Sequence, residues 1–214
     1  MTAFCPCPAV RAASALSASR RAWTASTAPA VLDRIHEPAV HLALWQRPRP
    51  ASLNWLDILD FDEIDDVQEQ LAVADMAATL SAALTEAGYT ENLRAALLAA
   101  EIATLARHFA RIMKRDAVRL RLEVVETDAC RKFHADNVEA RLLMPLTEPG
   151  TQWIEAGAGP DAPINHLAPG TVGLFKGRIW AETPAILHRS PPIAGTGRSR
   201  LLLVLDTPHP VANA

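Results

Sequence analysis

The sequence is poor in cysteine, and it has no long hydrophobic run and no excess of positive charge. Its 3 cysteines (Cys5, Cys7 and Cys130) are too few for the disulfide framework of a small secreted protein. It has no apolar stretch of about 18 residues, so a membrane-spanning helix is not predicted. The net charge of -3 lacks the basic signature of nucleic-acid binding. We therefore expect a cytoplasmic protein that binds neither nucleic acid nor a membrane.

What the sequence does contain is typical of a folded globular protein. Half of its 214 residues are hydrophobic and 21% are charged, so the chain can bury a substantial core. Residues 1–30 contain no acidic residue and are rich in Ala, Ser and Arg, which predicts a disordered tail. Cys5 and Cys7 lie in this tail and could bind a soft metal, but no partner pair follows at zinc-site spacing.

The region 31–116 is predicted to be helical. A first helix is expected from about Asp65 to Ala87, because Gly88 is a residue type favoured directly after a helix. A second is expected from about Glu91 to Lys114, where apolar side chains recur at helical spacing. Acidic residues cluster between positions 57 and 69, as at a solvated helix start. Whether this region caps a cavity or forms a homodimer face stays open.

The region 117–214 is predicted to consist of short strands. Val118, Leu120, Leu122 and Val124 alternate with polar or charged residues, which indicates a half-buried strand. Further strands are expected at 138–146, 151–155, 171–176, 184–189 and 200–206, separated by turns that contain Pro or Gly. We predict an α+β protein whose helical region packs on a β-sandwich or jelly-roll barrel, with 31–116 and 117–214 forming one compact domain.

His134-Ala135-Asp136 is the strongest candidate for chemistry. Residues i and i+2 of an extended chain face the same side, so His134 and Asp136 can direct an imidazole and a carboxylate to one point. His188 follows 52 positions after Asp136 and would supply a second imidazole. Two histidines and one carboxylate on one face of an octahedron are the ligands of mononuclear non-haem iron. A surface hydrogen-bonded pair, or a Zn(II) site of Cys130, His134 and His188, is the alternative.

An arginine near the last predicted strand completes the pattern. Arg200, Leu202 and Val204 share one strand face, and a guanidinium on that face could form a bidentate pair with a ligand carboxylate. Arg200 is preferred over Arg198, because Arg198 follows Gly195-Thr196-Gly197 and is expected in a turn. A surface position at the start of the strand is the alternative for Arg200.

Several segments resemble DUF1826, a bacterial family of unknown function. They are Cys130–Asp136, Arg141–Leu143, Gly150–Trp153, Phe175–Gly177 and His188–Pro192, and the similarity extends through Ile35 and Leu44-Trp45. The C-terminal region also resembles the double-stranded β-helix, a jelly-roll or cupin-like barrel, of Fe(II)/2-oxoglutarate dioxygenases.

The second resemblance implies that His134, Asp136 and His188 bind Fe(II). It also implies that Arg200, helped by Arg198 or Arg141, anchors 2-oxoglutarate, and that a small-molecule or peptide substrate is hydroxylated. A competing hypothesis is a non-catalytic cupin-like protein that binds Zn(II) in metal homeostasis, since ligand types alone do not separate the two metals. A structural module that has lost its function is a third.

Overall fold

The described part of the chain begins with a mixture of strands and helices and continues with seven strands. The computed structural model describes residues 21–89, 92–159 and 161–208. The helices are α1 (Met76–Glu86) and α2 (Asn92–Met113), with 3-10 helices at Pro29–His36, Ala51–Ile58 and Phe61–Glu63. The strands are β1 (Trp23–Ser26), β2 (Leu42–Trp45), β3 (Val67–Ala72), β4 (Ala117–Val125), β5 (Ala140–Pro145), β6 (Thr151–Glu155), β7 (Asn165–Leu167), β8 (Val172–Lys176), β9 (Ile186–Arg189) and β10 (Arg200–Asp206).

The strands form a large sheet and a small one. The large sheet has the order β1-β2-β8-β5-β10-β4-β3, and the small one has the order β7-β6-β9. Every neighbouring pair is antiparallel except β1 and β2. Within the described residues the large sheet stays open, because β1 and β3 lie at opposite edges without pairing to each other. The closed barrel that the sequence predicted is therefore not present in this part of the chain.

Both faces of the large sheet are covered, and alternate residues of β10 show how. Leu201, Leu203 and Leu205 join the core that the helices form on one face. Leu202 and Val204 belong to a second apolar cluster on the other face, together with side chains of the small sheet such as Trp153 and Ile186. A strand covered on both sides reads as a continuous apolar run, and this explains the sequence 201–205.

Most predicted strands and the second helix are confirmed, but the first helix is partly wrong. The second helix and the strands near 118, 138, 151, 171, 184 and 200 are present. The first helix is wrong over its initial part, because Val67–Ala72 is strand β3, antiparallel to β4, and α1 begins only at Met76. Val67 and Leu71 are buried on one side of β3, and their spacing of four residues suits a helix as well as a strand. Pairing with β4 decides between the two.

The prediction of a disordered tail over residues 1–30 is corrected for residues 21–30, whereas residues 1–20 lie outside the described residues. Trp23–Ser26 pairs in parallel with β2, so hydrogen bonds to a distant strand order a segment whose composition suggested disorder. The region 31–116 is mixed rather than helical, since β2 and β3 lie within it. Cys5 and Cys7 lie outside the described residues. Among the helices that the structure describes, none has both the length and the apolarity needed to cross a bilayer.

Candidate metal centre

A short β-bridge positions two imidazoles side by side. The backbone N–H of His134 donates to the carbonyl of His188 at 3.0 Å, and the N–H of His188 donates back to the carbonyl of His134 at 2.9 Å. Residues that are paired in this way project their side chains to the same face. The centroids of the two rings are 4.9 Å apart, and His188 is buried on β9.

Asp136 brings a carboxylate to the same place. One potential ligand atom from each of His134, Asp136 and His188 lies within 4.8 Å of the others. The structure thus brings together the three residues that the sequence selected. In the described part of the chain this is the only group of three or more His, Cys, Asp or Glu side chains arranged so closely.

The hydrogen bonds of His134 leave one ring nitrogen available. Its Nδ1 lies 2.8 Å from the carbonyl oxygen of Lys132, and a carbonyl only accepts, so Nδ1 carries the proton. In the neutral ring, Nε2 then keeps its lone pair. This atom lies 3.6 Å from Oδ1 of Asp136. A backbone carbonyl that orients the far nitrogen is a common support for a metal-binding histidine.

One oxygen of Asp136 has no hydrogen-bond partner although it is buried. Oδ2 lies 3.0 Å from Nε2 of His188 but accepts no hydrogen bond. An orphaned buried carboxylate oxygen costs free energy and calls for an explanation. A cation between Oδ2 of Asp136 and Nε2 of His188 would satisfy this oxygen. The residues present therefore fit a metal ion.

The charges of the three residues also suit a cation. Burial lowers the pKa of His188 and keeps this imidazole neutral. Burial opposes the ionisation of Asp136, but the neighbouring His134 imidazole and the Arg141 guanidinium outweigh it and hold the pKa of Asp136 well below its usual range. The neighbouring carboxylate raises the pKa of His134. A metal needs deprotonated ligands, and of the three residues His134 is the one whose pKa shift favours the protonated form.

Arg141 is engaged with two carboxylates of the protein. Its Nε and Nη2 each donate to Asp206 at 2.7 Å, and its Nη1 lies 2.5 Å from Oδ1 of Asp136. Burial lowers the pKa of Arg141, but Asp206 and Asp136 outweigh burial and raise it. All three nitrogens of this guanidinium thus contact carboxylates of the protein itself. Arg141 therefore has no nitrogen without a partner to bind the carboxylate of a ligand.

Arg200, unlike Arg141, is bound by neutral groups of the protein and not by carboxylates. It is 1% exposed and it donates to the hydroxyls of Ser190 at 2.8 Å and Thr151 at 3.1 Å, and to the carbonyl of Pro149 at 3.3 Å. Its Nε has no partner, and no carboxylate of the described residues forms an ion pair with it. Burial lowers the pKa of Arg200 to about 10, so it is charged at neutral pH.

The histidines and Arg200 line one cavity between the two sheets. Its volume is about 350 Å³, and its wall includes the apolar side chains of Leu143, Leu202 and Val204. The predicted face of β10 is confirmed, since Arg200, Leu202 and Val204 all point into this space. Glu123 and Glu148 attract the guanidinium from a distance, but no carboxylate in the described part of the chain is in direct contact with it. A buried cation without such a contact is costly, and a ligand carboxylate in the cavity would offset that cost.

The other site residues that the sequence proposed, Arg198 and Cys130, lie outside the three-residue cluster. Arg198 is exposed just after the turn that precedes β10 and does not line the cavity. Cys130 lines the cavity but does not belong to the three-residue cluster, so the arrangement does not favour the alternative site of Cys130, His134 and His188. The sequence did not single out Asp206, Ser190 or Thr151. Asp206 shares the strand face of Arg200, and that parity could have identified it.

Comparison with known proteins places the chain in a family. No curated protein matches the sequence significantly. The fold resembles a Pseudomonas putida prolyl-4-hydroxylase (13% identity, TM-score 0.45, 85% of this chain and 99% of that chain). It also resembles dioxygenases for auxin oxidation from rice (14%, 0.41, 75% and 67%) and Arabidopsis thaliana (13%, 0.41, 76% and 74%). The model of the family described as a protein of unknown function (DUF1826) matches residues 26–206, and the chain belongs to this family.

Proposed function

We propose that this protein is a mononuclear non-haem Fe(II) dioxygenase that uses 2-oxoglutarate and acts on a small-molecule or peptide substrate. One observation carries the proposal. A single cavity contains the convergent side chains of His134 and His188 next to Asp136, and also a buried Arg200 without a carboxylate partner. The first group suits a cation and the second suits an anion. A carboxylate cosubstrate that also binds the metal would satisfy both.

The chain's own residues have distinct parts in this proposal. His134, Asp136 and His188 would hold Fe(II) with three ligand atoms and leave positions open on an octahedral ion. Bound Fe(II) would supply the oxygen chemistry, in which 2-oxoglutarate and O2 give succinate and CO2 while a substrate C–H bond becomes C–OH. Two facing sheets with the ligands between them are the basis on which we assign the fold to the double-stranded β-helix class.

Arg200 would bind the distal carboxylate of 2-oxoglutarate. The Ser190 and Thr151 hydroxyls hold its guanidinium on the cavity side of β10, so the cation is oriented before a ligand arrives. Charge-assisted pairs of this kind are the stronger hydrogen bonds. The apolar side chains of Leu143, Leu202 and Val204 beside it would exclude water and strengthen the attraction.

Arg200 also separates this proposal from its main competitor. A non-catalytic Zn(II) protein needs the metal ligands but has no use for a buried arginine in the same cavity. The close cluster also contains no cysteine, although thiolates are the ligands most favoured in structural zinc sites. A cytoplasmic location and a homodimer stay predictions.

Cosubstrate turnover tests the function directly. Metal-free protein, supplied with Fe(II), 2-oxoglutarate and air, should release succinate slowly even without a substrate, because such enzymes decarboxylate the cosubstrate without coupling. Chromatographic quantification of succinate, against a reaction with Zn(II) in place of Fe(II), measures this. Tight Zn(II) binding together with no detectable affinity for 2-oxoglutarate would contradict the dioxygenase and support the metal-homeostasis protein.

The affinity of the site for a metal should increase with pH. Because Asp136 raises the pKa of His134 above its usual value, a larger fraction of His134 is protonated at mildly acidic pH, and a protonated imidazole cannot bind a cation. We expect Co(II) to bind more weakly at about pH 6 than at about pH 8. Titration followed by visible absorption measures the two affinities. Equal affinity at both pH values would show that His134 is not a ligand.

A further inference from the structure

An ion-paired arginine lies behind the candidate ligand Asp136. Arg141 on β5 and Asp206 on β10 occupy directly paired positions of the large sheet, so their side chains emerge on the same face. The carboxylate of Asp206 accepts two parallel hydrogen bonds from Arg141, both 2.7 Å long. This geometry fixes the plane of the guanidinium. The remaining terminal nitrogen, Nη1, reaches Oδ1 of Asp136 at 2.5 Å.

The two carboxylate oxygens of Asp136 have different neighbours. Oδ1 is held by Arg141 and also lies 3.6 Å from Nε2 of His134. Oδ2 lies 3.0 Å from Nε2 of His188 and accepts no hydrogen bond. Asp206 is 3% exposed, and Asp136 and Arg141 have side-chain exposures of 13% and 17%. Water therefore has little access to replace these contacts, and the rotation of the Asp136 carboxylate is restricted by the sheet itself.

From this geometry we infer that Arg141 and Asp206 are positioning residues that make Asp136 a ligand through one oxygen only. The inference rests on the proposed metal site. It replaces the expectation that Arg141 helps to bind 2-oxoglutarate. A carboxylate that binds through both oxygens would occupy an additional position on the metal, and that position would be lost to cosubstrate or oxygen. Asp206 matters here although it does not belong to the cluster of ligands, because it holds the plane of the Arg141 guanidinium.

Arg141→Lys is the sharpest test, because it retains the charge and removes the planar fork. A lysine has a single ammonium and cannot reproduce the three contacts to two carboxylates. Arg121→Lys is the matched control. Arg121 projects from β4 onto the same face and lies 3.8 Å from Asp206, but its closest partner is Glu123 at 2.7 Å, not Asp136.

Co(II) alone serves as the probe, added to metal-free protein without air and followed by its visible absorption. We expect Arg141→Lys to bind Co(II) about 10- to 100-fold more weakly than wild type, as is usual when a group that orients a ligand is lost. Its absorption band should also change, because a released carboxylate alters the coordination number. Arg121→Lys should match wild type in both respects.

The outcomes are distinguishable. If wild type binds Co(II) and Arg141→Lys binds it as tightly as Arg121→Lys does, the positioning role is overturned while the metal site stands. If wild type does not bind Co(II), the proposed site fails and this inference fails with it. Should circular dichroism show that Arg141→Lys is unfolded, Asp206→Asn decides. It preserves the shape of the side chain but loses the charge, and wild-type affinity in that variant would overturn the inference.

Discussion

Replacing His134 with alanine should reduce the affinity for Fe(II) by more than about 100-fold. Loss of a group that only orients a ligand costs about 10- to 100-fold, so loss of a ligand atom itself should cost more. The fold should survive, because the bridge to His188 uses backbone atoms and the His134 side chain is 33% exposed. Titration with Fe(II) in the absence of oxygen measures the affinity.

His166→Ala is the control for this experiment. His166 is an exposed residue of β7, and its backbone pairs with that of Gln152. Its side chain does not belong to the cluster of His134, Asp136 and His188. The His166→Ala variant should bind Fe(II) with wild-type affinity. It thereby controls for any general effect of removing an imidazole. If His134→Ala bound Fe(II) with unchanged affinity in the absence of oxygen, the assignment of the metal ligands would be wrong.

Replacing Arg200 with glutamine should weaken 2-oxoglutarate binding by about 10- to 100-fold while leaving Fe(II) affinity near that of wild type. A hydrogen bond to a charged group is worth about 1.5–3 kcal/mol, and about 1.4 kcal/mol corresponds to a tenfold change. Glutamine can still bond to Ser190 or Thr151, but it cannot offer a cation. The readouts are the affinity for 2-oxoglutarate with Fe(II) present and air absent, and KM in the succinate assay.

Arg198→Gln makes the comparison specific. It removes the same charge two residues away, from a side chain that is exposed and outside the cavity. We expect wild-type affinity for 2-oxoglutarate in this variant. If Arg198→Gln and Arg200→Gln bound 2-oxoglutarate equally well, the buried arginine would have another purpose, and the argument for a carboxylate cosubstrate would lose its main support.

The sequence predicted the site better than it predicted the sheet. The two-residue period of an extended chain was enough to place His134 and Asp136 together, and the parity of 200, 202 and 204 was enough to place Arg200 in the cavity. Both are local rules that hold whatever the strand pairs with. The partners Asp206, Ser190 and Thr151 depend on which strands become neighbours, and a single sequence does not contain that information.

Two of the errors have the same physical origin. Val67–Ala72 carries Gln and Glu residues that favour a helix, yet it forms β3 because β4 offers a complementary edge. Trp23–Ser26 has too few apolar residues to indicate order, yet β2 pairs with it. In both cases hydrogen bonds to a distant strand outweigh local propensity. The strand β7 was missed because three residues are too short to show a period.

The bridge between His134 and His188 has a consequence for how a metal would bind. The conformational entropy of joining two segments far apart in the sequence is lost when the chain folds, since backbone hydrogen bonds already hold them together. An arriving ion would not have to order the chain, in contrast to the ions that fold small zinc domains. Binding free energy that is not consumed by folding remains in the observed affinity, so this bridge would strengthen the binding of any ion that fits the three ligands.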